Sequence, residues 1–342
     1  MKRSLVLYGV SGLLALAGCG PMGSGNGYDG PFAHATPTQE TVALAIPEGH
    51  AAAAGSEDGV RTSALLGEEA DSYKLTRTVT AVVNGGTGWV LGLVKLIVSY
   101  PPTSVTGSDT AIWAPAPEPL AKKAWRLTVT RKAKEVFDWS FQAKAKTDPD
   151  SAFITIISGT HTRAVDAADQ PMENYGSGNF TIDWDASNTL PREPQETGKD
   201  VGVATFSYAR VDPASVTSIA VDFNGVKSDK GEIHNAIYRY VATPGAGGDF
   251  KYGSKEDAAP EPGNTGTAKE TLTIHSRWLE SGAGRSDYRL SGGDLGTASG
   301  TVSECWEPSF ASVYMVRSYD DVTWGAETSC AFATADFSSE AP

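Results

Sequence analysis

Positive charge is in short supply in this sequence. Against 41 acidic residues it carries only 28 lysines and arginines, a net charge of −13, and no basic stretch offsets that balance. A surface so charged repels phosphate backbones, so nucleic acid is excluded as an expected partner. Cysteine is scarce too: three in 342 residues cannot build a disulfide-dense scaffold. The five histidines show no H-x-x-x-H or H-E-x-x-H spacing, so no metal site and no cofactor is expected. No G-x-S-x-G elbow occurs. Gly85-Gly86-Thr87-Gly88 lacks both a preceding strand and the Lys-Ser/Thr ending of a phosphate loop, and reads as a helix break. Runs of roughly 20 apolar residues, which a polytopic membrane protein needs, are missing.

What is present begins with an N-terminal address. Lys2 and Arg3 precede an apolar run from Leu5 to Ala17, the build of a signal peptide. Leu16-Ala17-Gly18-Cys19 follows and resembles the lipobox of bacterial lipoproteins. That resemblance implies cleavage before Cys19, attachment of palmitate-type acyl chains to the Cys19 thiol and acylation of the new amine. The membrane is then a partner through a lipid anchor, not through a span. Gly20 stands where an aspartate retains such proteins at the inner membrane, so the resemblance places the chain in the cell envelope at the outer membrane. Cleavage removes Lys2 and Arg3 but no acidic residue, leaving the mature chain more acidic still.

Composition then divides the chain into a signal peptide (1–18), a lipidated tether (19–60) and one mainly-β domain (61–342). The tether is rich in Gly, Ala, Pro and Thr, with Pro31, Pro37, Pro47 and Ala51–Ala54, and its forty residues would span about 35 Å root-mean-square as a flexible linker. His34 and His50 fall in it and read as solvated. Apolar residues at threes and fours predict helices near 63–84 and 88–100, the second closed by Pro101-Pro102. Residues 103–121 read as a loop docked by Trp113.

From Trp125 the period changes to two: Trp125, Leu127 and Val129, then Phe137, Trp139 and Phe141, alternate with polar residues. Ten or eleven strands follow, separated by turns such as Asn224-Gly225 and Gly245–Gly248. Short links without crossover helices specify antiparallel pairing. The expected fold is a single large antiparallel meander sheet, curled into a half-barrel or barrel around the short helical pair, with a two-sheet sandwich as the alternative.

With Cys19 committed to lipid, Cys305 and Cys330 remain as a disulfide pair in an oxidising compartment, closing a loop of about 25 residues that contributes about 3 kcal/mol. His275 shares a strand face with Thr271, Thr273 and Arg277 and reads as solvated; His161 and His234 lie at strand ends. Asp183-Trp184-Asp185 puts two carboxylates on one strand face beside an aromatic, the minimal equipment of a hydrolase or carbohydrate-binding site. The same pattern is common on a solvated sheet face.

Several patterns are similar to a group of uncharacterised lipoproteins of myxobacteria. They are Ser276-Arg277-Trp278, Gly282-Ala283-Gly284-Arg285, Ser291-Gly292-Gly293-Asp294-Leu295 and Glu304-Cys305-Trp306, with Pro101-Pro102, Trp113-Ala114-Pro115 and Gly178–Asp183 earlier. The resemblance spans about residues 70–320. It implies location and fold and transfers no functional residue. The functional expectation is a membrane-anchored envelope lipoprotein, more a non-enzymatic binding or carrier module for an apolar ligand or envelope protein than an enzyme. The alternatives are an envelope hydrolase or carbohydrate-binding module using Asp183 and Asp185, and a structural cell-surface protein.

Overall fold

A computed structural model describes residues 30–47, 66–193, 196, 200–227, 231–257, 267–320 and 322–342. The signal peptide, Cys19 and the remainder of the tether, His50 included, lie outside the described residues.

Among the described residues, fifteen strands form one antiparallel sheet whose order is the chain order, open at both ends. In sequence they are β1 (Ser104–Thr106), β2 (Thr110–Trp113), β3 (Lys123–Ala133), β4 (Val136–Ala145), β5 (Ile154–Val165), β6 (Pro171–Asp183), β7 (Val203–Arg210), β8 (Thr217–Lys227), β9 (Ile233–Thr243), β10 (Gly247–Glu256), β11 (Glu270–Leu279), β12 (Gly284–Ser291), β13 (Ser299–Trp306), β14 (Ser312–Arg317) and β15 (Thr323–Gly325). The mainly-β antiparallel meander is thus as the alternation specifies, and among the described residues there is neither a second sheet nor closure of the strand order.

The stretch read as one domain divides into two compact units. One holds β1–β7 together with residues 30–43 and 84–103; the other holds β8–β15 together with residues 44–47 and 66–83. In the first unit the period-two pattern buries Leu127, Val129, Phe137, Trp139, Phe141, Ile157, Phe180 and Phe206 on one face, with Val129 opposite Trp139 and Leu127 opposite Phe141. In the second, Ile219, Val221, Tyr238, Tyr240, Phe250, Ile274 and Trp306 do the same.

The expected helical pair is a single helix, α2 (Asp71–Val98). Gly85 and Gly86 do not break it, because both flanks are buried: Val79 and Val83 before them, Val90, Leu91 and Val94 after. That burial outweighs roughly 1 kcal/mol of lost propensity per glycine. The threonines also fit. Thr76 donates to the Ser72 carbonyl at 2.8 Å and meets Ser276 Oγ at 2.7 Å. By length and composition α2 could cross a bilayer, yet 54% of its apolar window is buried inside the protein.

The tether reading is corrected over residues 30–47, which are packed. A short helix, α1 (Gln39–Val42), is capped by Thr38, whose hydroxyl accepts from the Thr41 amide. Phe32, Ala35, Thr41 and Val42 are buried. Arginines at one end of β3, β5 and β7 hold its carbonyls. Arg131 Nη2 donates to Pro31 O at 2.6 Å, Arg163 Nη1 to Ala33 O at 2.8 Å, and Arg210 to Glu40 O and Ala43 O, the latter at 2.7 Å. In the second unit the Tyr240 hydroxyl accepts from Ala45 N and donates to Ala45 O.

The loop expected at 103–121 contains the β1–β2 hairpin, with Trp113 buried and bonded through Nε1 to the Tyr100 carbonyl at 2.8 Å. The turn expected at Gly245–Gly248 forms at Gly245 and Ala246, and β10 begins already at Gly247; a Cβ at Gly248 would stand 2.4 Å from the Trp278 ring.

Candidate functional site: a hydroxyl-lined groove

The alternation that buries Phe137, Trp139 and Phe141 must place their neighbours on the opposite face. On β3, β4 and β5 those neighbours form two rows across the strands. Thr128, Ser140 and Ser158 stand opposite one another in one row, Thr130, Asp138 and Thr160 in the next. These six side chains line a shallow groove of about 400 Å³ floored by Trp139 and Gly159. Gly159 is required there: a Cβ would lie 2.1 Å from the Asn179 carbonyl and 2.6 Å from Phe180 Cβ.

Both rows continue onto neighbouring strands, through Thr181 and Thr205 in the first and Asn179 and Ser207 in the second. Nine of these ten positions are uncharged, in a protein of net charge −13. The exception, Asp138, faces Lys132 Nζ at 3.6 Å. Hydroxyls both donate and accept, so such a surface suits a ligand that is itself neutral and rich in hydroxyls. No nucleophile–base pair is formed in it among the described contacts.

The residues singled out from sequence have other roles. Asp183 ends β6 and caps α3 (Trp184–Ser187), its Oδ1 accepting from Ala186 N at 2.8 Å. Asp185 lies inside α3 and accepts from Gly202 N at 3.0 Å. Helical geometry replaces strand geometry here, so the two carboxylates do not share a strand face.

His161 is buried, with Nδ1 2.8 Å from the Tyr208 hydroxyl. Burial, aided by Arg163 and His34, lowers its pKa to about 3, and burial raises that of Tyr208. Both are neutral at pH 7 and form a structural pair. His234 lies on β9.

His275 is correctly placed on the outward face, but it is buried, not solvated. The segment after Cys330 covers it. Nε2 meets the Asp249 carboxylate, and Nδ1 meets the Asp336 carbonyl at 2.9 Å. Beside it Asp287 accepts from Arg285 Nε at 3.0 Å, Arg277 Nη2 at 3.0 Å, the Ser303 hydroxyl and the Asp336 amide at 3.0 Å. Cys305 and Cys330 are joined in a disulfide, with Cα atoms 5.5 Å apart.

On the other face a second polar cluster lies beneath α2. Glu304 Oε2 accepts from the Ser72 amide at 2.8 Å, and burial raises the Glu304 pKa. Among the described residues no group of three or more His, Cys, Asp or Glu side chains is placed to hold a metal ion.

Sequence reasoning missed the groove. Its signal is the alternation Thr128-x-Thr130, Asp138-x-Ser140 and Ser158-x-Thr160, which reads simply as a wet sheet face until the register aligns the rows. No protein-family model, curated protein or solved structure matches this chain.

Proposed function

We propose that this chain is a lipid-anchored, non-enzymatic envelope protein whose sheet binds a neutral, hydroxyl-rich ligand of the carbohydrate class in the β3–β5 groove. The observation that carries the binding reading is the pair of aligned hydroxyl rows lining that groove. The apolar-carrier reading has less support, because the apolar face of each unit is covered by its own buried side chains, the α2 residues Val79, Val90, Leu91 and Val94 among them. A hydrolase using Asp183 and Asp185 loses its motive, since Asp183 caps α3 and Asp185 accepts from the Gly202 amide.

The anchor rests on the sequence Leu16-Ala17-Gly18-Cys19. With residues 30–43 held by arginines, the chain left as leash between Cys19 and Gly30 reaches at most about 40 Å at full extension, against about 140 Å for a forty-residue tether. Twist favours a sheet that curls over α2 as an open half-barrel.

The test is affinity electrophoresis of the full chain through gels containing neutral soluble polysaccharides. Retardation that falls at least tenfold in Ser140→Lys/Ser158→Lys supports the reading, and no retardation on any neutral glycan overturns it. Anchoring is tested separately, by incorporation of labelled palmitate into wild type but not Cys19→Ala.

A further inference from the structure

Residues 330–340 cross the outward face of the second unit from β13 towards β9, and cationic or donor groups meet them along the way. Arg285 Nη1 donates to Phe332 O at 3.2 Å, Arg277 Nη2 to Thr334 O at 2.9 Å, and His275 Nδ1 meets Asp336 O at 2.9 Å. Carbonyls of alternate residues face the sheet, as in an extended chain. Further along, Lys251 Nζ lies 3.2 Å and Arg239 Nε 3.7 Å from the Glu340 carboxylate. Two rings add cation–π contacts, Arg277 over Phe332 and Arg289 over Phe337, each at 4.9 Å.

The segment contributes little to the core. Most of its residues are exposed, and Ser338 is the one that is buried. The groups beneath it are the reverse: His275, Arg285 and Asp287 are buried. Arg277 Nε is also buried and has no partner among the described residues. Polar main-chain contacts, rather than apolar burial, therefore hold this strap, and such segments open at low cost. Covalently, its first residue is fastened to β13 by the Cys305–Cys330 disulfide, with Cys305 buried and Cys330 half-buried.

We infer that the face formed by Arg239, Lys251, His275, Arg277 and Arg285 is a binding cradle for an extended acidic peptide. The chain's own residues 332–340 fill it while the disulfide is intact. The recognition is of carbonyls at alternate positions plus one carboxylate, so it reads backbone more than sequence. Fastening at Cys330 gives the internal segment a high effective concentration against any competitor.

A dithiol reductant releases that fastening. One thiolate of the dithiol attacks Cys330 Sγ, forming a mixed disulfide and expelling the Cys305 thiolate, which takes up a proton. The second thiol of the reductant then closes its own disulfide and frees the Cys330 thiol, so two electrons pass from the dithiol to the protein.

The experiment uses the full chain, a fluorescein-labelled peptide of residues 330–342 and dithiothreitol. Polarisation should show at least tenfold tighter, salt-sensitive binding to the reduced protein and to Cys330→Ser than to the oxidised protein. Arg239→Ala/Lys251→Ala, which alters only partly exposed side chains, should weaken binding to the reduced form, as should a peptide with Glu340→Gln. Hydrogen exchange should show amides 331–340 losing protection on reduction while β3–β7 remain unchanged. Equal binding to both redox forms, no binding to either, or unchanged protection over 331–340 would overturn the inference. None of these results depends on glycan binding by the β3–β5 groove.

Discussion

Arg285 Nε lies 3.0 Å from Asp287 Oδ1, and the two side chains are 1% and 0% exposed. They sit two residues apart on β12, so both project from its outward face, where a meander sheet would ordinarily meet water. Asp287 balances two guanidiniums, Arg285 and Arg277, and receives a hydroxyl and an amide besides. Burying such a cluster is tolerable because every charge has a partner.

Removing the carboxylate should therefore cost much more than a surface ion pair does. Asp287→Ala leaves Arg277 beneath the strap without its counter-ion and Arg285 paired only to the half-exposed Glu327 at 2.9 Å, and the expected loss is about 3–5 kcal/mol. The urea midpoint of the purified chain measures it. A loss below about 1 kcal/mol would show that water reaches the cluster freely.

The disulfide contributes through the unfolded chain. Its sequence separation is 25, so Cys330→Ser should lower stability by about 3 kcal/mol. Calorimetry of the oxidised wild type and the variant reads this directly. Dithiothreitol should lower the wild-type Tm towards that of the variant and leave the variant unchanged.

Acid acts on the first unit through His161, whose pKa falls from 6.5 unfolded to about 3 folded. Between those values the unfolded chain binds the extra proton, so stability rises with pH by about 1.4 kcal/mol per unit and levels off above 6.5. His161→Phe should flatten that slope in urea titrations between pH 4 and 7. Glu304 has the opposite sign. Its raised pKa makes the folded state hold the proton longer, so its contribution is present below the unfolded pKa of 4.5 and is lost as pH rises through the folded value. Glu304→Gln should remove that loss.

Much of this arrangement is legible in the chain, and the failures share a cause. The alternation from Trp125 onward gives the strands, and the turns give their antiparallel order, because period and loop length are local properties. The packing of residues 30–43 is not legible, since the carbonyls of Pro31, Ala33 and Ala43 find their donors in arginines a hundred residues or more further on. A segment of Ala, Pro and Thr reads as a leash until Arg131, Arg163 and Arg210 are seen to take its carbonyls. His275 fails in the same way: period two assigns its face correctly, but a strap 61 residues later decides whether that face is wet. Asp183 and Asp185 show the limit of extending an alternating pattern across a strand end, because one turn of helix redirects both carboxylates.

The arginine clamp offers a direct test of the packed N-terminal segment. Arg210 donates to two carbonyls of the α1 segment, that of Glu40 inside the helix and that of Ala43 at its C-cap. Arg210→Ala removes both bonds and should make residues 30–47 the first site of limited proteolysis, with cleavage at least tenfold faster than in wild type. Mass spectrometry of the early fragments identifies the cut. Unchanged cleavage there would mean that the Arg131 and Arg163 bonds and the burial of Phe32 and Val42 hold the segment without Arg210.

The glycines of α2 give a prediction of the opposite sign. Gly85 is exposed in mid-helix, and a Cβ there would meet nothing within 4 Å, as would one at Gly92. Neither needs to be glycine for space, and neither has a positive φ. Each should gain about 0.5–1 kcal/mol on substitution by alanine, mostly by restricting the unfolded chain. Gly88 differs, because it is buried and a Cβ would come within 2.7 Å of the end of the exposed Gln39 side chain, which would have to move aside. Calorimetry of Gly85→Ala, Gly92→Ala and Gly88→Ala should therefore raise the Tm for the first two but not for the third. If Gly85→Ala lowers it, the exposed side of α2 is covered by something other than water in the folded protein.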